Sequence, residues 1–221
     1  MKKIFSFIFL CVAIQMTAQD SLRFFRFGVS TGIGWCNRLS TAEGTVSSMK
    51  EEFDKLEKGI PGYCAGLSIQ YVISKRWFVQ SGLQYCASGY RIDTLPGTGL
   101  IDMQYRYNYL ELPLRLHCVL GHSRKIHPVA ALGMSARFLL KQRTDFLREG
   151  ISMEYSFDEF ESSEKFGYTI NAGLGFEKLL YKNVQLNCIV LLSQAISPIA
   201  DTPLKRYLNN VGISASLNWN F

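Results

Sequence analysis

Residues Val211 to Phe221 read V-G-I-S-A-S-L-N-W-N-F, an alternation without a slip. Val211, Ile213, Ala215, Leu217, Trp219 and Phe221 fall on one face of an extended strand, and Gly212, Ser214, Ser216, Asn218 and Asn220 fall on the other. A two-residue period specifies a strand. An apolar face ending in Trp and Phe, opposite a small uncharged face, suits a strand with lipid on one side and a packed polar lumen on the other. The pattern recurs in Arg23–Cys36, Tyr63–Ile73, Trp77–Arg91, Tyr105–Leu120, Pro128–Lys141, Phe166–Leu180 and Val184–Ser197, which with the terminal segment makes eight expected strands.

The connections alternate as well. Ser74–Arg76, Gly121–Lys125 and Tyr181–Asn183 are short, whereas Asn37–Gly62, Ile92–Gln104, Gln142–Lys165 and Pro198–Tyr207 are longer. Short periplasmic turns and longer outer loops are the asymmetry of outer-membrane barrels, and an even strand count returns both chain ends to the periplasm. A soluble lipocalin-like barrel would instead turn its apolar faces inward. The pattern therefore predicts an all-β fold, a transmembrane up-and-down antiparallel barrel of eight strands. Within the first long loop, Ser48 to Glu51 fits a capping box, and Met49, Phe53 and Leu56 recur at helical spacing, with Gly59 and Pro61 as the stop.

The N-terminus agrees. Met1-Lys2-Lys3 is basic, Ile4 to Ile14 is apolar, and Thr17-Ala18-Gln19 offers a cleavage site before Asp20. The segment reads as a secretory signal peptide over residues 1–19, too short to span a bilayer, leaving one barrel domain over residues 20–221. Lys2 and Lys3 account for two of 24 basic residues against 18 acidic ones, so the mature chain carries about +4. With no basic run or basic helix, nucleic acid is not an expected partner. Five cysteines remain, Cys36, Cys64, Cys86, Cys118 and Cys188, an odd number without C-x-x-C spacing. The expectation for each is a small buried hydrophobe, with one disulfide left open. No metal site, cofactor or catalytic set is expected.

Four charged residues share the lumen-facing parity: Glu111, Arg115, Arg137 and Glu177. Buried charges require partners, so these four are expected to form a Glu/Arg ladder that fills the lumen. A path for protons or ions is the other reading of the same residues. Pro113 lacks an N–H in mid-strand, and a bulge is expected there. His117, His122 and His127 crowd one periplasmic turn, away from the outer leaflet where a lipid-modifying enzyme would work, so an enzyme is not expected. The acidic loop Gln142–Lys165 carries Phe146, Tyr155, Phe157 and Phe160, a candidate surface for a partner protein.

The segment Tyr109-Leu110-Glu111-Leu112-Pro113-Leu114 resembles the Y-L-E-(I/L)-P-L strand of the PorT-like outer-membrane β-barrel family of Bacteroidetes-type bacteria. Gly28, Gly32 and Gly34 in the first strand, and Ala172-Gly173-Leu174-Gly175-Phe176-Glu177 in the sixth, are similar to it too. The resemblance covers essentially the whole mature chain and implies a small barrel of about eight strands in the outer membrane. Most members have no defined activity. The expected protein is a monomer in contact with outer-membrane lipid and lipopolysaccharide, structural or adhesive, or accessory to an envelope or secretion complex through its long loops. A narrow ion or small-solute channel is the alternative, and a lipid-modifying enzyme the second.

Overall fold

Alternation decides which way each side chain faces; pairing decides whether the sheet closes. The computed structural model describes residues 25–42, 56–93, 102–121, 126–148, 151–155, 165–181, 183–198 and 204–220. The expected signal peptide lies outside them, as does the expected helix over Ser48–Leu56 apart from its last residue. The strands are β1 (Phe25–Ala42), β2 (Glu57–Val72), β3 (Trp77–Asp93), β4 (Asp102–Val119), β5 (His127–Arg148), β6 (Ile151–Tyr155), β7 (Phe166–Tyr181), β8 (Val184–Ala195) and β9 (Leu204–Asn220). Each pairs antiparallel with its neighbour, and the β4–β5 pairing closes the sheet. Eight strands form the wall; β6 pairs only with the outer end of β5 and extends a hairpin above the barrel. Among the described residues no helix is long and apolar enough to cross a membrane, and the chain crosses with strands.

Paired residues can be followed once around the wall. Val129 faces Gly175, then Ile189, Ser214, Gly32, Cys64, Cys86 and Tyr109 follow, and the path returns to β5 at Leu139. The stagger from Val129 to Leu139 is ten residues. With eight strands it implies a tilt of roughly 40–45° and an interior that side chains can fill.

The outer surface is apolar. Leu67, Leu83, Leu112, Leu114, Leu132, Met134, Leu174, Leu192 and Ile213 are exposed in its middle. Phe25, Trp77 and Trp219, with Tyr71 against Phe25, ring the periplasmic end; Trp35, Tyr63, Tyr85, Phe166 and Tyr168 ring the outer end. An aliphatic band between two aromatic girdles matches a bilayer. Inside, the buried set is polar to a degree no soluble core would tolerate, with Gln70, Gln80, Gln84, Glu111, Arg115, His117, Asn171, Asn187 and Asn218 all nearly inaccessible.

Several local expectations need correction. The strands run further outward than the alternation suggested, so Gly59 and Pro61 lie in β2 and not at a helix end. Pro61 falls within the register shift between Gly59 and Tyr63, where a residue without an N–H is tolerated. At Pro113 there is no bulge. Ser81 pairs with Leu114 and Gln84 with Glu111 in unbroken register, and only the two rungs between are missing. Dropping two rungs is enough to accommodate the absent donor, so register never has to move. Cys64 and Cys86, direct cross-strand partners facing the lumen, form a disulfide, while Cys36, Cys118 and Cys188 remain free.

The girdles fix a depth scale that mutation can read. Leu132→Arg, in the middle of the band, should destabilise the barrel by about 2–4 kcal/mol, whereas Tyr181→Arg, at the periplasmic rim, should cost about 1 kcal/mol or less. Urea titration of barrels folded into lipid vesicles measures both, and equal costs would misplace the membrane.

Candidate functional site

On β4 every second residue from Tyr105 to His117 points inward, which places Tyr107, Tyr109, Glu111, Pro113 and Arg115 in one column along the lumen. Register supplies their partners. Glu111 lies opposite Arg137 of β5, whose Nε donates to Glu111 Oε2 at 3.0 Å. Arg115, four residues along the same strand, brings Nη2 to 3.9 Å from Glu111 Oε1. The Ser135 hydroxyl also bonds this carboxylate. Ser135 accepts from Asn171 Nδ2 at 2.7 Å, and Asn171 Oδ1 accepts from the Ser193 hydroxyl at 2.8 Å. One continuous network thus ties β4 to β5, β7 and β8. On the other side of β4, Gln84 of β3, the cross-strand partner of Glu111, donates to Ser30 at 2.7 Å, and Asn218 links Ser68 to Ser216.

Long side chains on β3, β4 and β5 need short ones opposite. Gly32, Gly34 and Gly212 provide the space: with Arg115 and Cys64 they line a residual cavity of about 40 Å³. A methyl group on Gly34 would meet the backbone of Gly212, and one on Gly133 would meet the backbone and side chain of Arg115. A second cavity, about 30 Å³, lies beside Tyr109 and Arg137. Spaces of this size hold a water or two.

Above the charged cluster the lumen is roofed by aromatic rings. Tyr90 stacks on Tyr105 at 4.8 Å, Tyr107 on Tyr109 at 6.2 Å, and Ile92 and Leu208 complete the buried group. The Arg38 guanidinium sits 4.2 Å over the Tyr90 ring and is paired with Glu57. Above the membrane, Lys58 and Arg91 both bind Asp93; the Lys58 hydrogen bond first, then the Arg91 charge, holds that carboxyl below its ordinary range.

The expected four-residue ladder is therefore a three-residue cluster. Glu111, Arg115 and Arg137 come together, but Glu177 does not join them. It faces His127 near the periplasmic end, with Arg26 as its other neighbouring charge. Parity put Glu177 on the right face, but the stagger of the barrel set its height. His117, stacked on Phe78 at 4.4 Å, is also at that end. Phe157, Phe160 and His122 lie outside the described residues; Phe146 and Tyr155 contribute backbone pairing to the β5–β6 hairpin. Arg38 and Glu57, which the sequence reading assigned to a loop, belong to the wall; the alternation of Cys36 and Arg38 against Asn37 and Leu39 was the available signal. No group of three or more His, Cys, Asp or Glu among the described residues is placed to hold a metal ion.

The sequence of residues 15–200 matches the model of the outer membrane protein beta-barrel domain family. The chain belongs to that family. It is an integral protein of the bacterial outer membrane, a small barrel of eight wall strands. Among solved structures it is similar to Neisserial surface protein A (11% identity, 88% of this chain and 97% of that one, TM-score 0.47). It is similar also to the outer membrane protein OprG from Pseudomonas aeruginosa (14%, 87% and 94%, 0.47) and to Ail, the attachment invasion locus protein of Yersinia pestis (12%, 87% and 98%, 0.35). No curated protein matches the sequence.

Removing the shared acceptor tests the cluster. Glu111→Gln leaves two buried guanidinium groups without a counter-charge and should destabilise the folded barrel by about 3–5 kcal/mol. The double variant Glu111→Gln/Arg137→Gln should recover part of that loss, giving a coupling energy of about 1 kcal/mol or more by urea titration. Strictly additive costs would mean that the two groups do not interact.

Proposed function

We propose that this protein is a closed, non-conducting member of its family, with its working surface at the outer rim. The observation that carries the reading is the lumen: Glu111 is shared between Arg115 and Arg137, the tyrosine group lies directly above, and the cavities left beside them are about 40 and 30 Å³. A buried, mutually satisfied charge cluster is a plug that fixes the geometry of the barrel. A conducting path would require it to open, at the expense of the pairing that stabilises it.

On this reading the protein acts as a structural or adhesive element, or as an accessory to an envelope or secretion complex. The wall strands continue above the girdles, and β5 with β6 rises beyond them. Lys58, Arg106, Lys141 and Lys165 are exposed toward this end and are placed to meet lipopolysaccharide phosphates, which cationic side chains recognise as point charges or forks. The protein is read as a monomer without enzymatic activity, and a partner protein would engage the rim.

The test is electrical. Mature protein with heat-modifiable migration, reconstituted in planar bilayers, should show no discrete conductance steps. Steps that disappear or change size in Glu111→Gln would establish a channel gated at the cluster and overturn the closed reading.

A further inference from the structure

The buried charges of the lumen do not cancel. Among the carboxylates whose side chains are described, Glu57 has Arg38, Asp93 has Lys58 and Arg91, Asp145 has Arg143, and Glu177 has Arg26 for a basic neighbour. Glu111 alone is shared by two buried guanidinium groups, so its cluster with Arg115 and Arg137 holds one positive charge in excess. The three side chains are only 4%, 6% and 13% exposed. Tyr107 and Tyr109 lie above them, the stacked Phe78 and His117 below, and all four are nearly inaccessible. Solvent therefore does not screen the excess, and a buried charge without its counter-charge is strongly destabilising.

The excess rests on Arg115. Arg137 Nε donates to Glu111 Oε2 at 3.0 Å, and the Ser135 hydroxyl bonds the same carboxylate. Arg115 Nη2 stops 3.9 Å from Oε1, beyond hydrogen-bond reach, and Arg115 Nε is buried with no partner. This side chain borders the cavity of about 40 Å³. No carboxylate lines that space. The polar lumen side chains that line it with Arg115 are Gln84, Asn210 and Ser214, and each can donate a hydrogen bond. The Asn210 amide oxygen is buried without a donor, and a half-turn of that amide presents its NH2 instead. Gly32, Gly34, Gly62 and Gly212 form the rest of the lumen-facing lining. Water fits there but carries no charge. One unbalanced cation, several donors and room for a single monatomic ion specify a small anion.

We propose that the lumen holds one resident halide ion, of the size of chloride, in the glycine-lined space beside Arg115. The ion enters as the barrel closes and completes the charge balance of the plug. The inference rests on the closed reading of the barrel and goes further: the plug contains four charges, and the fourth comes from the medium. Phosphate and sulfate are too large for the space.

The wild-type chain gives the first test. Barrels are folded into lipid vesicles in bromide or in gluconate, which is too large for the space, at one ionic strength and unfolded with urea. Above half-saturation each tenfold rise in bromide should raise the folding equilibrium constant about tenfold. Two variants locate the effect. Arg115→Gln removes the excess charge, and Gly32→Ala fills the space with the charges intact. A methyl group on Gly32 would stand 3.3 Å from the Ile213 carbonyl oxygen, a contact that a small shift relieves, whereas Gly34, Gly62 and Gly212 have no such room. Both variants should lose the bromide dependence. Crystals of wild-type protein folded in bromide should show an anomalous scatterer beside Arg115. Equal stability in bromide and gluconate, a dependence that survives Arg115→Gln, or no scatterer in the cavity would overturn the resident ion and leave the closed barrel intact. Anion-selective conductance steps in planar bilayers would overturn the closed reading, and the resident ion with it.

Discussion

Backbone hydrogen bonding in lipid governs everything else in this structure. Hydrocarbon offers no partner to an exposed N–H or C=O, so a spanning sheet must close on itself. Here closure is made between β4 and β5, which pair from Asp102 against Leu147 to Val119 against Val129 with one register shift. Once eight strands are joined with a ten-residue stagger, the radius and tilt follow, and with them the number of side chains that a cross-section of the lumen can hold. The Gly-rich faces of β1 and β9 and the long side chains of β3, β4 and β5 are two halves of one packing solution. Gly34 and Gly212 approach so closely that neither could carry a methyl group, and the space they leave is where Arg115 lies.

A membrane barrel reverses the usual division of labour between apolar and polar groups. Its apolar side chains, Leu132 or Leu174 for instance, contact lipid and contribute little to tertiary specificity, because lipid is as good a solvent for them as another leucine. Specificity comes from the polar interior. The Ser193–Asn171–Ser135 chain reaches the Glu111 carboxylate through three strands, and each bond has one geometry in which donor and acceptor meet. Such a network stabilises only if it is completed, so it rejects registers that the girdles alone would permit.

Much of this was legible in the linear chain, and the reason is the period. Side chains on a strand have two directions, so parity alone assigned Glu111, Arg115, Arg137 and Glu177 to the lumen. Height was not legible, because it depends on the stagger accumulated around the wall. Glu177 and Glu111 lie on one continuous path of paired residues, through Asn187, Ser216, Ser30, Gly66 and Gln84, yet that path climbs from the periplasmic end to the centre. Cys64 opposite Cys86 needs only the register of the β2–β3 hairpin: the two lie eleven residues either side of Lys75 in its short turn, a local signal that the count of cysteines did not use. Tyr107 and Tyr109 share parity with Glu111 and could have been placed inside. Aromatic residues in a barrel are so strongly associated with the girdles that composition argued the other way. The outer limits of the strands were lost for a different reason. Above the membrane the lipid-facing side no longer has to be apolar, and the alternation that marks a strand fades while pairing continues from Arg38 with Leu208 to Ala42 with Leu204.

The position of the charged cluster relative to the seam explains why an expensive buried group is placed there. Glu111 and Arg137 are direct partners across β4 and β5, and the register of that pair changes just beyond them, between Asn108 and Tyr109. A strand slipped by one residue turns every side chain to the opposite face. Along β5 from Ala131 to Ser135 such a slip exchanges Leu132 or Met134 for a small residue, a modest penalty. At the cluster it would carry Arg137, or Glu111 and Arg115 of β4, into hydrocarbon, where a charge costs several kcal/mol. The cluster therefore acts most strongly against the wrong barrel, and its contribution to the right one can be small without weakening that role. Placing it next to the bulge on β5 is economical in the structural sense, since the bulge is where the seam is easiest to shift and where a register error most needs to be rejected.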